Sequence, residues 1–511
     1  MTIELIGSLD YKKVEEILKQ KGIDNGNTID EIVEEIKKVE KSRHSEIVSS
    51  AGALSRTTGD IFSVLNDREQ KDFEKNNKFV NFVIGMGHYS ITDHDYFVFG
   101  LKDVSVIVEQ FLIEERFASF TVKSRREADF SKEGFYIPNF HITNGGIHPD
   151  NHPLQETYKQ HMKELFEKYS VFKEAGIKTE DARFILPYCF HSTFIMGFDG
   201  NTLIRTIIKL TKTKYSKIPE LKELGEKLYE IAKENMPYIL PVIDKTEVMT
   251  EDEVDTFLAS KIKRENYKVV KNVKLLNSSQ DIDDQILIAA IIRRYQYNYQ
   301  KAKNTLEKIS TTDPNFKLEL MKKIAFKGDR AELSQVNFEF QVPVSNAIKT
   351  HLLRHRTHNF VNPDFVDIDL TQYITPPAII EKDMKYEYDD IYKRNKQTYD
   401  YFKGLGVTKE DLIYFNLSGN LSNFITNMDG LTLSHILALR ECNKAQWETR
   451  DIAHGMHKEI NKREDAKLFT QVIGPTCETQ RICNEGKECC GKVFALIKKD
   501  TKNQLKIDNI C

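Results

Sequence analysis

Phe172-Lys173-x-x-Gly176-Ile177-x-x-Glu180-Asp181 recurs as Phe402-Lys403-x-x-Gly406-Val407-x-x-Glu410-Asp411, and the match runs on without a gap to Asp199-Gly200-x-Thr202-Leu203 against Asp429-Gly430-x-Thr432-Leu433. A self-match of this length at one fixed offset marks an internal duplication, and each copy must bury its apolar face against its own set of elements. Upstream of each copy stands an alternating stretch, Tyr96-Phe97-Val98-Phe99 and Asn337-Phe338-Glu339-Phe340, whose period of two predicts a half-buried strand. An apolar run that reads as helix follows each strand, from Val104 to Leu112 and from Val344 to Leu353. The first run ends in Glu114-Glu115-Arg116 and the second in Arg354-His355-Arg356.

Two prolines and an acidic stretch between Pro237 and Asp255 interrupt the helical pattern, so the boundary is expected near residue 240, giving repeats 1–240 and 241–511. Long amphipathic helices with a few strands in each half predict an α+β fold, two tandem domains of helices packed on a small, mainly antiparallel sheet.

With 511 residues, the chain has ample material for two cores. Its 74 Lys and Arg nearly balance 77 Asp and Glu, for a net charge of -3, which argues against a nucleic-acid binder but leaves room for a small anionic substrate. No uncharged apolar run reaches about 18 residues, and Met1 to Asp10 is short and acidic for a secretory signal, so no membrane association and a cytoplasmic location are expected. Of seven cysteines, Cys477, Cys483, Cys489, Cys490 and Cys511 crowd the C-terminal end, unlike a disulfide framework spread through a fold.

The charged segments carry a resemblance to the flavin-dependent thymidylate synthases (ThyX-type). That family's signature runs R-H-R-x-x-S-x-N-E-x-S-x-R-Y, after H-x-S-x-x-E-H and before a late A-Q-x-E-I-R helix. The second half holds Arg354-His355-Arg356 and, later, Leu433 to Arg440 with Ala445-Gln446-Trp447-Glu448-Thr449-Arg450, but has Val366 where the signature arginine belongs. The first half does the reverse. It holds Ser119, Ser124 and Arg126, His88-x-Ser90-x-x-Asp93-His94 upstream, and Glu180-Asp181-Ala182-Arg183, but places Leu210 opposite Arg440. Asp329-Arg330-Ala331 replaces the upstream motif of the second half, and Ile413 replaces Arg183.

The resemblance implies dUMP, or a related uridine nucleotide, as substrate, converted to dTMP with FAD as cofactor and NADPH and methylenetetrahydrofolate as co-substrates. A nucleoside monophosphate is a dianion, best held by arginine forks and hydroxyl donors. Substrate binding is expected of Lys123, Ser124, Arg126, Arg183, Arg354 and Arg440. The resemblance also implies Arg440 as the catalytic residue, acting as a fixed cation rather than a base because a guanidinium cannot lose its proton. His88, Ser90, Asp93, Arg354, His355, Arg356, Asp429 and His435 are the expected flavin contacts. Because the family shares each site between subunits, the complementary losses imply one complete residue set per chain and a reciprocal set, with Glu114, Leu210, Val366 and Ile413, that is dead. A homodimer, equal to the family's tetramer in domains, is expected.

Asp199-Gly200-Asn201 and Asp429-Gly430-Leu431 replace the family's N-x-R flavin segment, so Asp429 either opposes a flavin diphosphate or caps its helix. The cysteine tail, spaced C-x5-C-x5-C-C, lacks the short C-x-x-C knuckle of structural zinc sites, and no metal is assigned; a metal, a redox pair and free thiols all remain open. A catalytically silent nucleotide-binding or scaffold protein of the same descent is the alternative function.

Overall fold

The computed structural model describes residues 1–5, 11–21, 29–58, 60–143, 145–263 and 268–508; Cys511 lies outside them. They form two compact units, Met1–Asn266 with Pro377–Leu417, and Tyr267–Pro376 with Ser418–Cys511.

Each unit is built on a four-stranded antiparallel sheet. In the first, β1 (Thr2–Leu5), β2 (Tyr96–Ser105), β3 (Ser119–Val122) and β4 (His191–Asp199) lie in the order β1-β2-β4-β3. In the second, β5 (Lys274–Ser278), β6 (Asn337–Ser345), β7 (Asn359–Val361) and β8 (Leu421–Asp429) lie in the order β5-β6-β8-β7. The alternation read from sequence is present: Phe97, Phe99 and Leu101 of β2, and Phe338, Phe340 and Val342 of β6, point into the cores. Burial of each such side chain is worth roughly 1.5–3 kcal/mol, so a one-residue slip of register would expose the whole set. The strands differ at one point. The β2–β4 register shifts between Leu101 and Val104, where Asp103 has φ 57°, whereas β6 pairs with β8 without a break. The extra residue is a bulge, and its left-handed backbone turns the strand.

The helices after β2 and β6 start later than the apolar runs suggest. Helix α1 spans Val106–Ile113 and helix α2 spans Asn346–Leu353. Strand pairing extends to Ser105 and Ser345 because a buried carboxylate takes up both polar groups of each serine. Glu220 accepts from the Ser105 amide at 2.8 Å and its hydroxyl at 2.5 Å, and Glu448 accepts from the Ser345 amide at 2.7 Å and its hydroxyl at 2.6 Å. Tyr414 adds a third hydrogen bond to Glu220 at 3.0 Å. Full burial pushes the Glu220 carboxyl up to about 7, because removal from water disfavours the ionised form more than the three donors favour it.

The segment Pro377–Leu417 belongs by sequence to the second repeat yet packs in the first unit. Its helix α4 (Lys385–Gly404) lies against helix α3 (Asn151–Glu174), its counterpart in the first repeat. Buried His161 bonds Asn395 at 2.9 Å, Phe172 stacks on Tyr388, and the Tyr392 hydroxyl donates to the Phe184 carbonyl at 2.7 Å. Beyond the helices, Pro187 forms an antiparallel bridge with Leu417, its own counterpart under the repeat. Asp411, fully buried, accepts from the His141 amide at 2.5 Å and bonds its ring Nδ1 at 3.0 Å. Among the described residues, no helix is long and apolar enough to cross a membrane.

Candidate functional site

In the second unit, helix α2 delivers Arg354, His355 and Arg356 at its C-terminal end, and helix α5 (Gly430–Arg440) delivers His435 and Arg440. Arg440 Nε donates to His355 Nε2 at 3.0 Å, and Arg440 Nη2 donates to the His351 carbonyl at 3.2 Å. These bonds fix the guanidinium plane and require His355 to accept through Nε2, so its ring proton sits on Nδ1. Burial, with Arg440 and His435 as neighbours, lowers His355 to about 3, and His435 is lowered for the same reasons by burial, Arg330 and Arg440. Both imidazoles are therefore neutral beside a group of fixed cations. Their rings meet edge to face with centroids 5.6 Å apart.

Asp429 is the N-cap of α5 and accepts from the Thr432 amide at 2.7 Å. Of the two roles open to it from sequence, it holds the cap, the role also filled by Asp199 on helix α6 (Gly200–Lys212) of the first unit. Arg330, which stands where the upstream motif is replaced by Asp329-Arg330-Ala331, joins the cluster. With φ 66°, it turns its side chain toward α5 and donates to the Ser434 hydroxyl, while its Nε is buried without a hydrogen-bond partner among the described residues. The signal was present, a lone arginine where the motif should stand, but its left-handed backbone was not legible.

The first unit gathers the other expected residues in two places. Beyond β3, Ser124 Oγ accepts from the Arg126 amide at 3.3 Å, Arg126 Nε donates to Glu180 Oε2 at 2.9 Å, and buried Arg183 donates from Nε to the Glu180 carbonyl at 3.1 Å. Glu180 thus brings both arginines to the end of the short helix Thr179–Ala182. Lys123 is ion-paired with Glu133 instead. Elsewhere, His88, Ser90 and His94 line a pocket of about 230 Å³ with Arg56, while Asp93 is exposed beside it and is not part of the lining. At the place in α6 that corresponds to Arg440, Leu210 is fully buried, and the neighbouring Lys209 pairs with Glu115 at 2.9 Å.

Residues 37–238 and 274–464 match the family model described as "Thymidylate synthase complementing protein". The chain belongs to this family. It is 31% identical over 216 residues to a flavin-dependent thymidylate synthase of Sulfurisphaera tokodaii, covering 40% of this chain and 79% of the relative. A relative of that name from Sulfolobus acidocaldarius is 31% identical over 218 residues, with 40% and 77% covered. One from Clostridium tetani is 30% identical over 192 residues, with 34% and 76% covered. The thymidylate synthase complementing fold is therefore present twice, and the first matched segment holds His88, Ser124, Arg126 and Arg183 while the second holds Arg330, Arg354, His355 and Arg440.

Proposed function

We propose that the chain is a flavin-dependent methyltransferase that converts dUMP, or a close uridine nucleotide, to the thymidine form. The repeats are assigned as residues 1–240 and 241–511, acting together as a cytoplasmic homodimer. The observation that carries this reading is the cluster around Arg440: a guanidinium held by two hydrogen bonds, with neutral imidazoles as neighbours. A fixed, oriented cation stabilises negative charge developing on a pyrimidine ring without giving up a proton, and removal of one such donor costs about 10²–10³ in turnover. Were His355 protonated, it could no longer accept from Arg440, and the guanidinium would lose its orientation.

The same cluster suits an anionic cofactor. The buried Arg330 Nε has its hydrogen-bonding capacity unused among the described residues, and Asp429 is engaged by its helix cap. Arg330, Arg354, His355, Arg356 and His435 would hold FAD here, and His88 and Ser90, which line a separate pocket of the first unit, are assigned to the flavin as well. Bound flavin supplies the hydride and methylene chemistry, with NADPH and methylenetetrahydrofolate as co-substrates. Ser124, Arg126 and Arg183 bind the nucleotide phosphate, and Lys123 contributes once released from Glu133. The deciding experiment is the visible spectrum of the purified protein, reconstituted with FAD and assayed for dTMP formation. Bound flavin and turnover are expected; neither, in folded protein that still binds dUMP, would leave a silent nucleotide-binding protein.

A further inference from the structure

Cys442, Cys477, Cys483, Cys489 and Cys490 line one small pocket in the second unit, although they come from three separate stretches of chain. The tail that brings four of them has little core of its own: the short turns Thr476–Thr479 and Gly486–Glu488 contain no buried residue. Tight backbone geometry gathers them instead. Gly486 at φ 51° opens a turn in which the Glu488 amide donates to the Glu485 carbonyl at 2.9 Å and the Cys489 amide to the Gly486 carbonyl at 3.2 Å, folding Cys489 back toward Cys483. Cys483 and Cys489 both line that pocket, one on each side of the turn. Donors also point at the sulfurs: the Gly491 amide reaches Cys489 Sγ at 3.4 Å, and Asn443 Nδ2 reaches Cys490 Sγ at 3.5 Å. Among the described residues, no three His, Cys, Asp or Glu side chains are set as a metal's ligands. The arrangement is thus of neighbouring thiols with amide donors rather than of a closed coordination shell.

We infer that Cys483 and Cys489 form a reversible thiol–disulfide site, oxidised by exchange with a low-molecular-weight disulfide. Cys489 is the attacking group, because the Gly491 amide donates to its sulfur. Its thiolate attacks one sulfur of the small disulfide, forming a mixed disulfide and releasing one small thiolate, which takes up a proton. Cys483 then gives its proton to solvent and attacks the Cys489 sulfur, closing the cross-link and releasing the second small thiol. Two protein thiols and one small disulfide become one protein disulfide and two small thiols. Cys490 is acidified by the Lys492 amide and Asn443, which makes it a competitor for alkylating reagents. Cys189 is an internal control, since burial pushes its thiol up to about 12.

The test is to equilibrate the full-length protein with glutathione and glutathione disulfide at graded ratios, alkylate the remaining thiols, and map peptides by mass spectrometry. A single Cys483–Cys489 link, with Cys189 still free, is expected. The link should persist in Cys490→Ser and disappear in Cys483→Ser and Cys489→Ser, with the melting temperature of each reduced variant close to that of the reduced parent. Cross-links scattered over the five cysteines, a stable glutathione adduct on Cys489, or protection of the cluster by one tightly held zinc ion per chain would each overturn the inference.

Discussion

Helices α5 and α6 begin alike and diverge. Asp429 and Asp199 each accept a hydrogen bond from the amide of a threonine three residues on, and a glycine follows each aspartate. A Cβ on Gly430 would come within 2.6 Å of the Leu333 carbonyl oxygen, and one on Gly200 within 2.8 Å of the Thr92 carbonyl oxygen, so neither position admits a larger residue without backbone movement. Near their C-terminal ends, the likeness stops. Arg440 is held by His355 and the His351 carbonyl, whereas Leu210 is fully buried, packed so closely that a Cβ on Gly225 would lie 2.7 Å from its own. The cap and the glycine are present in both copies; the arginine to which we assign the chemistry is present in one. The cap and the close approach are conditions of building either helix, while the guanidinium is no part of that requirement, since Leu210 fills the same place in α6.

The sharpest way to break this comparison is at its point of divergence. Arg440→Ala should lower turnover by about 10²–10³ or more on folded protein. Leu210→Ala should leave turnover nearly unchanged but cost about 2–5 kcal/mol of stability, read by urea denaturation. Equal catalytic losses from the two would remove the distinction between the helices.

The paired serine–carboxylate contacts give a second comparison, through pH. Glu220 is raised from its ordinary value of 4.5 to about 7 in the folded protein, so folding favours its protonated form. Its contribution is complete below about pH 4.5 and is lost as pH rises through 7, a change on the order of 3 kcal/mol. Unfolding free energies from urea denaturation between pH 4.5 and 8.5 should fall with pH by that amount, and Glu220→Gln should flatten the slope. Glu448→Gln, in the same place in the other repeat, shows by how much its own slope changes whether the two carboxyls have kept one protonation state.

Much of this architecture is legible in the sequence. Alternation in Phe97–Phe99 and Phe338–Phe340 marks the central strands, and the fixed offset of the repeats foretells two sheets of one strand order. The helix starts were not legible, because Ser105 and Ser345 stay in strand conformation through contacts with Glu220 and Glu448, more than a hundred residues away in each case. Pro377–Leu417 was assigned by position in the chain, whereas the partners of Tyr388, Tyr392 and Asn395 lie in the first repeat. At the candidate site, residue types were readable and pairings were not: Lys123 bonds Glu133, and Arg126 bonds Glu180.

For nucleotide binding, Arg126→Ala should weaken the affinity for a uridine monophosphate by about 10- to 100-fold, in line with the loss of one charge-assisted bond. Its counterpart Val366→Ala should have no effect, and titration calorimetry should give one nucleotide per polypeptide. Two equivalent sites per chain would show that the copies have not divided the work. The smallest effect is expected at the shared caps. Asp429→Asn and Asp199→Asn should each change stability by under about 0.5 kcal/mol, since asparagine caps about as well, while either alanine variant should cost about 1 kcal/mol. If Asp429→Asn alone also tightens flavin binding several-fold, measured by fluorescence quenching, its carboxylate is felt beyond the cap.

The placement of Pro377–Leu417 has a consequence for the order of events during synthesis. The first unit needs helix α4 for its core, because Tyr388 and Tyr392 are almost fully buried there, yet the ribosome must first make Tyr267–Pro376, which belong to the other unit. At about 5–20 residues per second, that stretch delays completion by several seconds or more. During this time, α3 presents the apolar face that α4 will cover, and a nascent chain stalled within Tyr267–Pro376 should be cleaved by protease near His161 and Phe172, sites that the finished protein shields.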